Sequence, residues 1–375
     1  MTDNPFVTNG YAGPAYFCDR IEETKMLTHL LTNGNNIALM SPRRVGKTDL
    51  IKHCFFQEAI NCNYYSFIID IYATDSFRDF VNVFGKSILN GLKSKGRKAW
   101  EGFLNVLQSV RSDISFDING NPVWGLGVGT LTPPQTTLDE IFAYLCSADK
   151  HCLVAIDEFQ QILYYNDDKN VEAALRTFIQ QCTNANFIFA GSQRHLMSEM
   201  LLSPSRPFYQ SVVPMSLHPI PLERYWDFAE RQFGKNGNRQ ISREVVEEVY
   251  QRFNGITANV QRIMNMLYML TPKGETCTTD MIDQAIDIYL QLSSEYYEAL
   301  LRQMPEKQRN VFLAIAAEGK VRSISSGKFA HKYRLPSPSS AVSAVKGLLE
   351  KDFISQDNGE YFIYDHFFQL WLERK

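Results

Sequence analysis

The sequence predicts an α/β fold with a parallel sheet, followed by a small helical domain and a C-terminal module of three helices and a hairpin. Short apolar runs alternate with longer helical patterns from about residue 35 to residue 195, a rhythm typical of βαβ units. From about Leu222 to Gln303, apolar residues recur at helical spacing. After Met304-Pro305, three helical stretches precede two strand-like runs, which is the order of a winged helix-turn-helix.

The boundaries follow from these changes of pattern. Residues 1–215 form the predicted sheet domain, 216–303 the helical domain and 304–375 the winged helix. The expected parallel strands are 37–40, 65–71, 153–156 and 187–190. Residues 113–129 interrupt this rhythm with alternating apolar residues around Asn119-Gly120. Because Asn-Gly favours a tight turn, the interval predicts an inserted β-hairpin.

Composition excludes several classes of protein. The 375 residues carry 38 Lys+Arg against 41 Asp+Glu, a formal charge of −3, so there is no global electrostatic reason to bind nucleic acid or membrane. The first residues lack the basic and apolar stretches expected of a secretory signal, and no apolar run approaches roughly 20 residues, the length that spans a bilayer. Seven cysteines without a C-x-x-C pair indicate reduced thiols. We therefore expect a cytoplasmic protein with no membrane contact.

A phosphate-binding loop follows the first strand. The segment is Ser41-Pro42-Arg43-Arg44-Val45-Gly46-Lys47-Thr48-Asp49, and an apolar helix comes next. Strand, loop, Gly-Lys-Thr and helix form the context of a P-loop, in which backbone N–H groups surround a phosphate at a helix N-terminus. Lys47 would bridge the β- and γ-phosphates, and the Thr48 hydroxyl would bind Mg²⁺. Ser41 departs from the pattern, which has glycine there.

Two carboxylates end a later buried strand. Asp157-Glu158 follows the apolar run 152–156, a Walker B pattern in which Asp157 would hold the Mg²⁺ shell and Glu158 would polarise the attacking water. The strand 187–190 is followed by Ser192-Gln193, where Ser192 is favoured over Gln193 as the contact for the γ-phosphate or the attacking water. A solvent-exposed strand end is the alternative for Ser192.

An arginine near the γ-phosphate would neutralise charge in the transition state. Four arginines are candidates: Arg43, Arg44, Arg194 and Arg206. Arg206 is preferred as the catalytic arginine, and a structural role is its alternative.

With these residues in place, the chain resembles the archaeal-type ATPase family of the STAND class, within the AAA+-like P-loop NTPases, in the version common in Bacteroidetes. The resemblance rests on Asn4-Pro5-Phe6, Phe17-Cys18-Asp19-Arg20-Ile21-Glu22-Glu23, the P-loop, Ile156-Asp157-Glu158-Phe159-Gln160, Arg206-Pro207-Phe208-Tyr209 and the closing segment 364–372. It implies an AAA+/STAND-like sheet domain, a helical lid and a winged helix.

The resemblance also implies that the N-terminal box lies against adenine and ribose, which makes Phe17, Arg20 and Glu23 candidates for the nucleotide pocket. A turn that caps the following helix is their alternative. The lid signature Gly-x-Pro is not met, because Thr257 stands at the proline position.

These features lead to one expected function and its rivals. The first is an Mg²⁺-dependent ATPase, with ATP or ADP as ligand, that acts as a nucleotide-driven conformational switch. The rival is a nucleotide-gated module with negligible turnover that docks DNA or protein, and a small-molecule kinase is a third. Residues 301–375 hold 12 Lys+Arg against 8 Asp+Glu, but the candidate recognition helix offers few base-reading side chains. DNA is therefore weakly supported beside a protein partner or self-association.

Overall fold

The computed structural model describes residues 4–125, 133–165, 171–335, 337–357 and 359–375. They form two compact units. The sheet unit contains residues 7–228 and 256–258, and the helical unit contains residues 4–6, 229–255 and 259–375. Across the described residues, none of the helices combines the length and apolarity that a membrane span requires.

The sheet unit is built on a five-stranded parallel sheet and also contains a separate antiparallel pair, β3 and β4. The strands described in this unit are β1 (Ile37–Met40), β2 (Tyr65–Asp70), β3 (Ile114–Phe116), β4 (Pro122–Trp124), β5 (Cys152–Asp157), β6 (Ala185–Gly191) and β7 (Val213–Ser216). The large sheet has the order β2-β5-β6-β1-β7, and every neighbouring pair is parallel. The predicted α/β class is confirmed. The sequence missed β7, an edge strand that contains Pro214, because proline interrupts a strand pattern and is tolerated at an edge.

Helices cover both faces of this sheet. They are α1 (Ile21–Thr32), α2 (Lys47–Phe56), α3 (Glu58–Asn61), α4 (Phe77–Lys93), α5 (Arg97–Val106), α6 (Pro134–Ser147), α7 (Val171–Gln181) and α8 (Arg194–Leu202), and α9 (Leu222–Gly234) begins in this unit. Alternate strand residues point to opposite faces. Leu39 and Ala155 therefore pack with α1–α3, whereas Met40 and Ile156 pack with α4–α8. Burial on both faces explains why the strands read as continuous apolar runs.

The antiparallel pair β3–β4 lies inside the interval for which the sequence predicts a hairpin. Residues 126–129 of that interval lie outside the described residues. Trp124 anchors the hairpin on α4, where its Nε1 donates to Asn82 Oδ1 at 2.8 Å and its ring lies over Gly85. The hairpin is thus attached to the helical layer and is not part of the large sheet.

The helical unit contains two further groups of elements. The first has β8 (Gln240–Ile241), α10 (Arg243–Arg252), α11 (Thr257–Leu270), β9 (Thr276–Cys277) and α12 (Asp280–Gln303). The second has α13 (Glu306–Glu318), β10 (Lys320–Val321), α14 (Gly327–Lys332), α15 (Pro338–Glu350), β11 (Ile354–Asp357), β12 (Glu360–Ile363) and α16 (His366–Glu373). Strand order β10-β12-β11 with antiparallel pairing completes the winged helix. Asn358, in the predicted hairpin turn, lies outside the described residues.

The N-terminal segment belongs to the helical unit. Asn4 Nδ2 donates to the carbonyl of Asn265 at 2.8 Å, and Asn265 Nδ2 donates to the carbonyl of Phe6 at 2.7 Å. The Phe6 ring is fully buried, with ring centroids 5.4 Å from Phe233 and 6.0 Å from Tyr268. The three-domain division at residues 215 and 303 stays a prediction.

Candidate functional site

The loop between β1 and α2 has the backbone that a phosphate cradle needs. Gly46 caps α2 with φ 97°, and Arg44 also has a left-handed backbone, with φ 67°. An ideal Cβ on Gly46 would have no heavy atom within 4 Å, so open space lies in front of the helix N-terminus. Backbone N–H groups at such a terminus favour an anion.

Ser41 fits the loop although the usual pattern has glycine there. Its backbone is outside the left-handed region, its side chain is buried, and its N–H donates to the carbonyl of Gly191 at 3.3 Å. The Ser41 hydroxyl donates to the carbonyl of Pro42 at 3.1 Å. Because this position needs no positive φ, a small buried side chain is compatible with the loop.

The loop and the acidic strand end meet. Lys47 Nζ lies 3.3 Å from Asp157 Oδ1 and 3.4 Å from Glu158 Oε1, and only 7% of the Lys47 side chain is exposed. The Thr48 hydroxyl donates to Asp157 Oδ2. All strands of a parallel sheet have their carboxyl ends at one edge, which is why residues that follow β1 and β5, separated in the sheet only by β6, come together here. Asp49 follows in the first turn of α2.

Donors surround the carboxylate of Glu158. Gln160 Nε2 donates to Glu158 Oε2 at 2.5 Å, and the Ser192 hydroxyl donates to the same oxygen at 2.8 Å. Burial by itself would raise the pKa of Glu158, but Lys47, these two donors and the charge of Arg43 together hold that pKa below its usual range. Glu158 is therefore ionised at neutral pH.

Burial also raises the pKa of Asp49, and at this residue the net pKa shift is upward. Lys52 opposes this rise and the Asp157 charge adds to it. The two carboxyl groups thus have opposite pKa shifts: burial dominates at Asp49, whereas Lys47, Arg43 and the two donors together outweigh burial at Glu158.

Arg43, in the loop, contacts this cluster. Its Nε donates to Ser192 Oγ at 3.0 Å, and its guanidinium lies 5.5 Å from the centroid of the Tyr72 ring. Sequence reasoning did not single out Tyr72 or Gln160 as site residues. The signal for Gln160 in the sequence was a polar side chain two positions after the acidic pair.

The N-terminal box packs beside the loop. Arg20 is buried, with Nη1 2.7 Å from Glu23 Oε1 and Nη2 donating to the carbonyl of Val45 at 3.2 Å. Phe17 stacks on His53 of α2, with ring centroids 4.2 Å apart. Arg20 therefore contacts the loop, Phe17 contacts the helix that follows it, and Glu23 is paired with Arg20.

Residues 256–258 group with the sheet unit and also contact the loop. The Ala258 N–H donates to the carbonyl of Arg44 at 3.0 Å, and the Thr257 hydroxyl donates to the carbonyl of Val45 at 3.3 Å. The residue at which the chain departs from Gly-x-Pro is thus hydrogen-bonded to the candidate site.

Arg206 has other partners. Its Nη1 lies 3.0 Å from Glu172 Oε1 and its Nη2 lies 2.6 Å from Glu199 Oε1. Arg194, another candidate, donates to the carbonyl of Leu217 at 3.4 Å. The structure brings Lys47, Glu158 and Ser192 together, but it does not bring Arg206 to them. The finger role of Arg206 stays a prediction.

The donor set fits Mg²⁺ and a phosphate chain. The Thr48 hydroxyl and the Asp157 carboxylate supply oxygen ligands, and Mg²⁺ commonly uses one or two carboxylates together with phosphates and water. Within the described ranges, no group of three or more His, Cys, Asp or Glu side chains could hold a metal by itself. The buried Lys47 ammonium and the open space at Gly46 suit an anion beside that cation.

Solved structures of similar fold cover nearly the whole chain. A Walker-type ATPase of Pyrococcus abyssi is 17% identical over 98% of this chain and 99% of its own, with a TM-score of 0.65. The ORC2 protein of Aeropyrum pernix, in ADPNP–ADP complexes, is 13% identical over 99% and 96%, with a TM-score of 0.57. The ORC1 protein of the same organism, in complex with DNA, is 9% identical over 100% and 98%, with a TM-score of 0.56. At these identities the likeness shows the fold.

Two family models match the chain, one over the region of the parallel sheet and one over the C-terminal winged helix. No curated protein matches the chain. Residues 295–374 match a probable winged helix domain. Residues 17–263, more than half of the chain, match an ATPase domain that occurs predominantly in Archaea. This matched region contains the loop, the acidic pair and Ser192. The chain therefore belongs to the family of ATPase domains found predominantly in Archaea.

Proposed function

We propose that the chain binds ATP with Mg²⁺ and hydrolyses it, and that this changes the arrangement of its domains. One observation carries the proposal: Lys47 and Thr48 meet Asp157 and Glu158 at the end of the parallel sheet. These groups have the types, spacing and contacts that phosphoryl transfer to water requires.

Each side chain has a task in this proposal. Lys47 binds the β- and γ-phosphate oxygens and exchanges its present carboxylate partners for them. Thr48 and Asp157 hold Mg²⁺, which when bound neutralises charge on the phosphates. Glu158 is ionised, so it can accept a hydrogen bond from water and orient that water for attack. Ser192 and Gln160 fix the carboxylate that does this.

The test compares phosphate release by the wild type and by Glu158→Gln. We expect the substitution to slow release by about 10²–10⁴-fold, the usual contribution of a general base, while thermal stabilisation by ATP and Mg²⁺ is kept. Lys47→Ala is the matched control for binding, and it should lose that stabilisation. Equal rates in the wild type and in Glu158→Gln would remove Glu158 from catalysis.

A nucleotide-gated module with negligible turnover is the second candidate. Arg206, the arginine that the sequence favoured for catalysis, is held by Glu172 and Glu199, which supports slow turnover. Stabilisation by ATP without release of phosphate would favour this candidate.

The partner and the finer classification are also proposals. The match to a winged helix domain and the ORC1 protein that was solved with DNA motivate a DNA ligand, and a protein partner is the alternative. Fluorescence anisotropy of labelled duplexes, measured at several salt concentrations, distinguishes them, because phosphate contacts weaken steeply with salt. The STAND class, the Bacteroidetes version, the separate lid domain and a cytoplasmic location also remain proposals.

A further inference from the structure

Arg43, Ser192 and Glu158 form a hydrogen-bonded chain with one direction. A guanidinium has only donors, so Ser192 Oγ must accept from Arg43 Nε at 3.0 Å. A serine hydroxyl has a single proton, and Glu158 Oε2, 2.8 Å away, is an acceptor when ionised. Because Ser192 accepts a hydrogen bond from Arg43, its own proton is directed into the hydrogen bond that it donates to Glu158.

The position of Arg43 is supported from a second side. Its guanidinium lies 5.5 Å from the Tyr72 ring centroid, within the range in which an aromatic face attracts a cation. Tyr72 is itself fixed in the turn after β2, because its N–H donates to Asp70 Oδ1 at 2.9 Å. A planar cation is thus held between the end of β6 and the turn after β2, on the loop that would surround the phosphates.

Arg206 lacks these properties. Both of its terminal nitrogens are paired with carboxylates, and one of them, on Glu172, is only 8% exposed. Moving Arg206 away would leave that carboxylate buried without its cation, which typically costs several kcal/mol.

We propose that Arg43 is the charge-neutralising arginine of the site and that it acts within its own chain. It links phosphate recognition to the orientation of Glu158 through Ser192, so a single chain contains every side chain that turnover needs. This inference rests on the proposed function, and it adds a role for Arg43 that the P-loop pattern does not contain.

The first measurement is phosphate release per chain over a hundredfold range of protein concentration. We expect a rate per chain that does not depend on concentration, because no residue of a neighbour is required. Arg43→Ala should lower the rate by roughly 10³-fold, the low end for a catalytic arginine. Arg97→Ala is the matched control, since Arg97 is an exposed arginine of α5 paired with Glu101, and it should leave the rate unchanged.

A second readout does not depend on turnover. By calorimetry, Arg43→Ala should weaken binding of a non-hydrolysable ATP analogue by about tenfold, as expected for a lost charged hydrogen bond, and binding of ADP by less than about twofold. Arg43→Lys keeps the charge but loses the planar fork. It should recover most of the affinity for the analogue and little of the rate, because lysine lacks the Nε group that holds Ser192.

Complementation separates action within one chain from action between chains. Mixing Arg43→Ala chains with Glu158→Gln chains should restore no activity. Mixing Arg206→Ala chains with Glu158→Gln chains tests the rival. If that second mixture releases phosphate faster than its two components do separately, and the first mixture does not, Arg206 of a neighbouring chain is the finger and the inference is overturned.

A normal rate in Arg43→Ala would also overturn it. A wild type that releases no phosphate and binds no nucleotide would instead overturn the proposed function itself. The two failures are therefore distinguishable.

Discussion

Glu158 shows how competing effects determine the state of a single side chain. Its backbone has φ 55°, a strained region for a residue with a Cβ, and its carboxylate is largely buried. Both features are unfavourable by themselves. Lys47, Gln160 and Ser192 offset them because each stabilises the charged form. The strained backbone and the depressed pKa occur at the same residue, as is common at functional sites.

The depressed pKa predicts a pH effect. In the wild type, the hydrogen bonds from Gln160 and Ser192 help to hold the pKa of Glu158 down, so the acid limb of the phosphate-release profile should lie at lower pH than in a variant that lacks one of them. Ser192→Ala removes a donor to the carboxylate, so the pKa of Glu158 rises and the acid limb of the rate profile moves to higher pH. Ser147→Ala, at the end of α6, is the control and should leave the limb in place.

The stability profile provides a second check on the same group. The pKa of Glu158 is lower in the folded chain than in the unfolded chain, so its ionised form stabilises the fold at neutral pH. That contribution is lost as the pH falls through the folded pKa. The measurement is the free energy of unfolding as a function of pH. If it fell over the same acid pH range in the wild type and in Ser192→Ala, the Ser192 hydroxyl would not hold the carboxylate in solution.

Sequence reasoning reached some residues of the site but not others. Lys47, Thr48, Asp157 and Glu158 could be predicted, because parallel strands bring their carboxyl ends together whatever their separation in sequence. The partners of Arg43 and Arg206 could not, since a long arginine side chain reaches many positions and its choice depends on which carboxylates the fold presents. Tyr72 was missed for the same reason.

At the scale of elements, the strands that are buried on both faces could be predicted from their apolar runs, whereas the exposed edge strand could not. Strands β5 and β6 are buried along their whole length and were visible as apolar runs, so their prediction is confirmed. Strand β7 alternates between half-buried and exposed residues and contains Pro214, which removed both the apolar run and the β propensity. Edge strands therefore escape this kind of reasoning more readily than central strands do.

The hairpin β3–β4 gives a prediction about packing between elements. An ideal Cβ on Gly85 of α4 would lie 2.4 Å from Trp124 Cη2, so Gly85→Ala must displace a rigid indole ring and its bond to Asn82. Overpacking of this kind costs about 1–3 kcal/mol, against a gain in helix propensity of about 1 kcal/mol. We expect Gly85→Ala to be neutral or destabilising in urea unfolding.

Gly102→Ala is the matched control for that measurement. Gly102 lies in α5, and the nearest atom to its ideal Cβ is 3.9 Å away, so only the propensity gain applies and the free energy of unfolding should rise by up to about 1 kcal/mol. Equal stabilisation by both substitutions would mean that Trp124 does not pack on α4 in solution.

At the scale of the whole molecule, the grouping of elements does not follow the order of the chain. Residues 4–6 belong to the helical unit although the next 222 residues, 7–228, belong to the sheet unit, and residues 256–258 return to the sheet unit within a helical region. A sequence pattern shows periodicity along the chain but does not show which distant segments pack together in the fold. Boundaries drawn from pattern alone therefore place the N-terminal residues with the sheet.

The buried ring of Phe6 makes this grouping testable. Phe6→Ala removes a fully buried aromatic side chain that packs on Phe233 and Tyr268, so it should lower the free energy of unfolding of the helical unit by about 3–5 kcal/mol. Phe116→Ala is the control, because Phe116 is 58% exposed and its loss should cost less than about 1 kcal/mol.

Hydrogen exchange then locates the effect. Faster exchange in α9 and α11 of Phe6→Ala, with α2 and β5 unchanged, is expected, because Phe233 and Tyr268 lie on α9 and α11 and lose their partner. Asn265→Ala should act in the same direction but more weakly, since it removes one hydrogen bond to the Phe6 carbonyl and no buried ring. If Phe6→Ala instead loosened only the sheet unit, the N-terminal segment would belong there, and the pattern-based boundary at residue 215 would describe the first domain better than the grouping found in the fold.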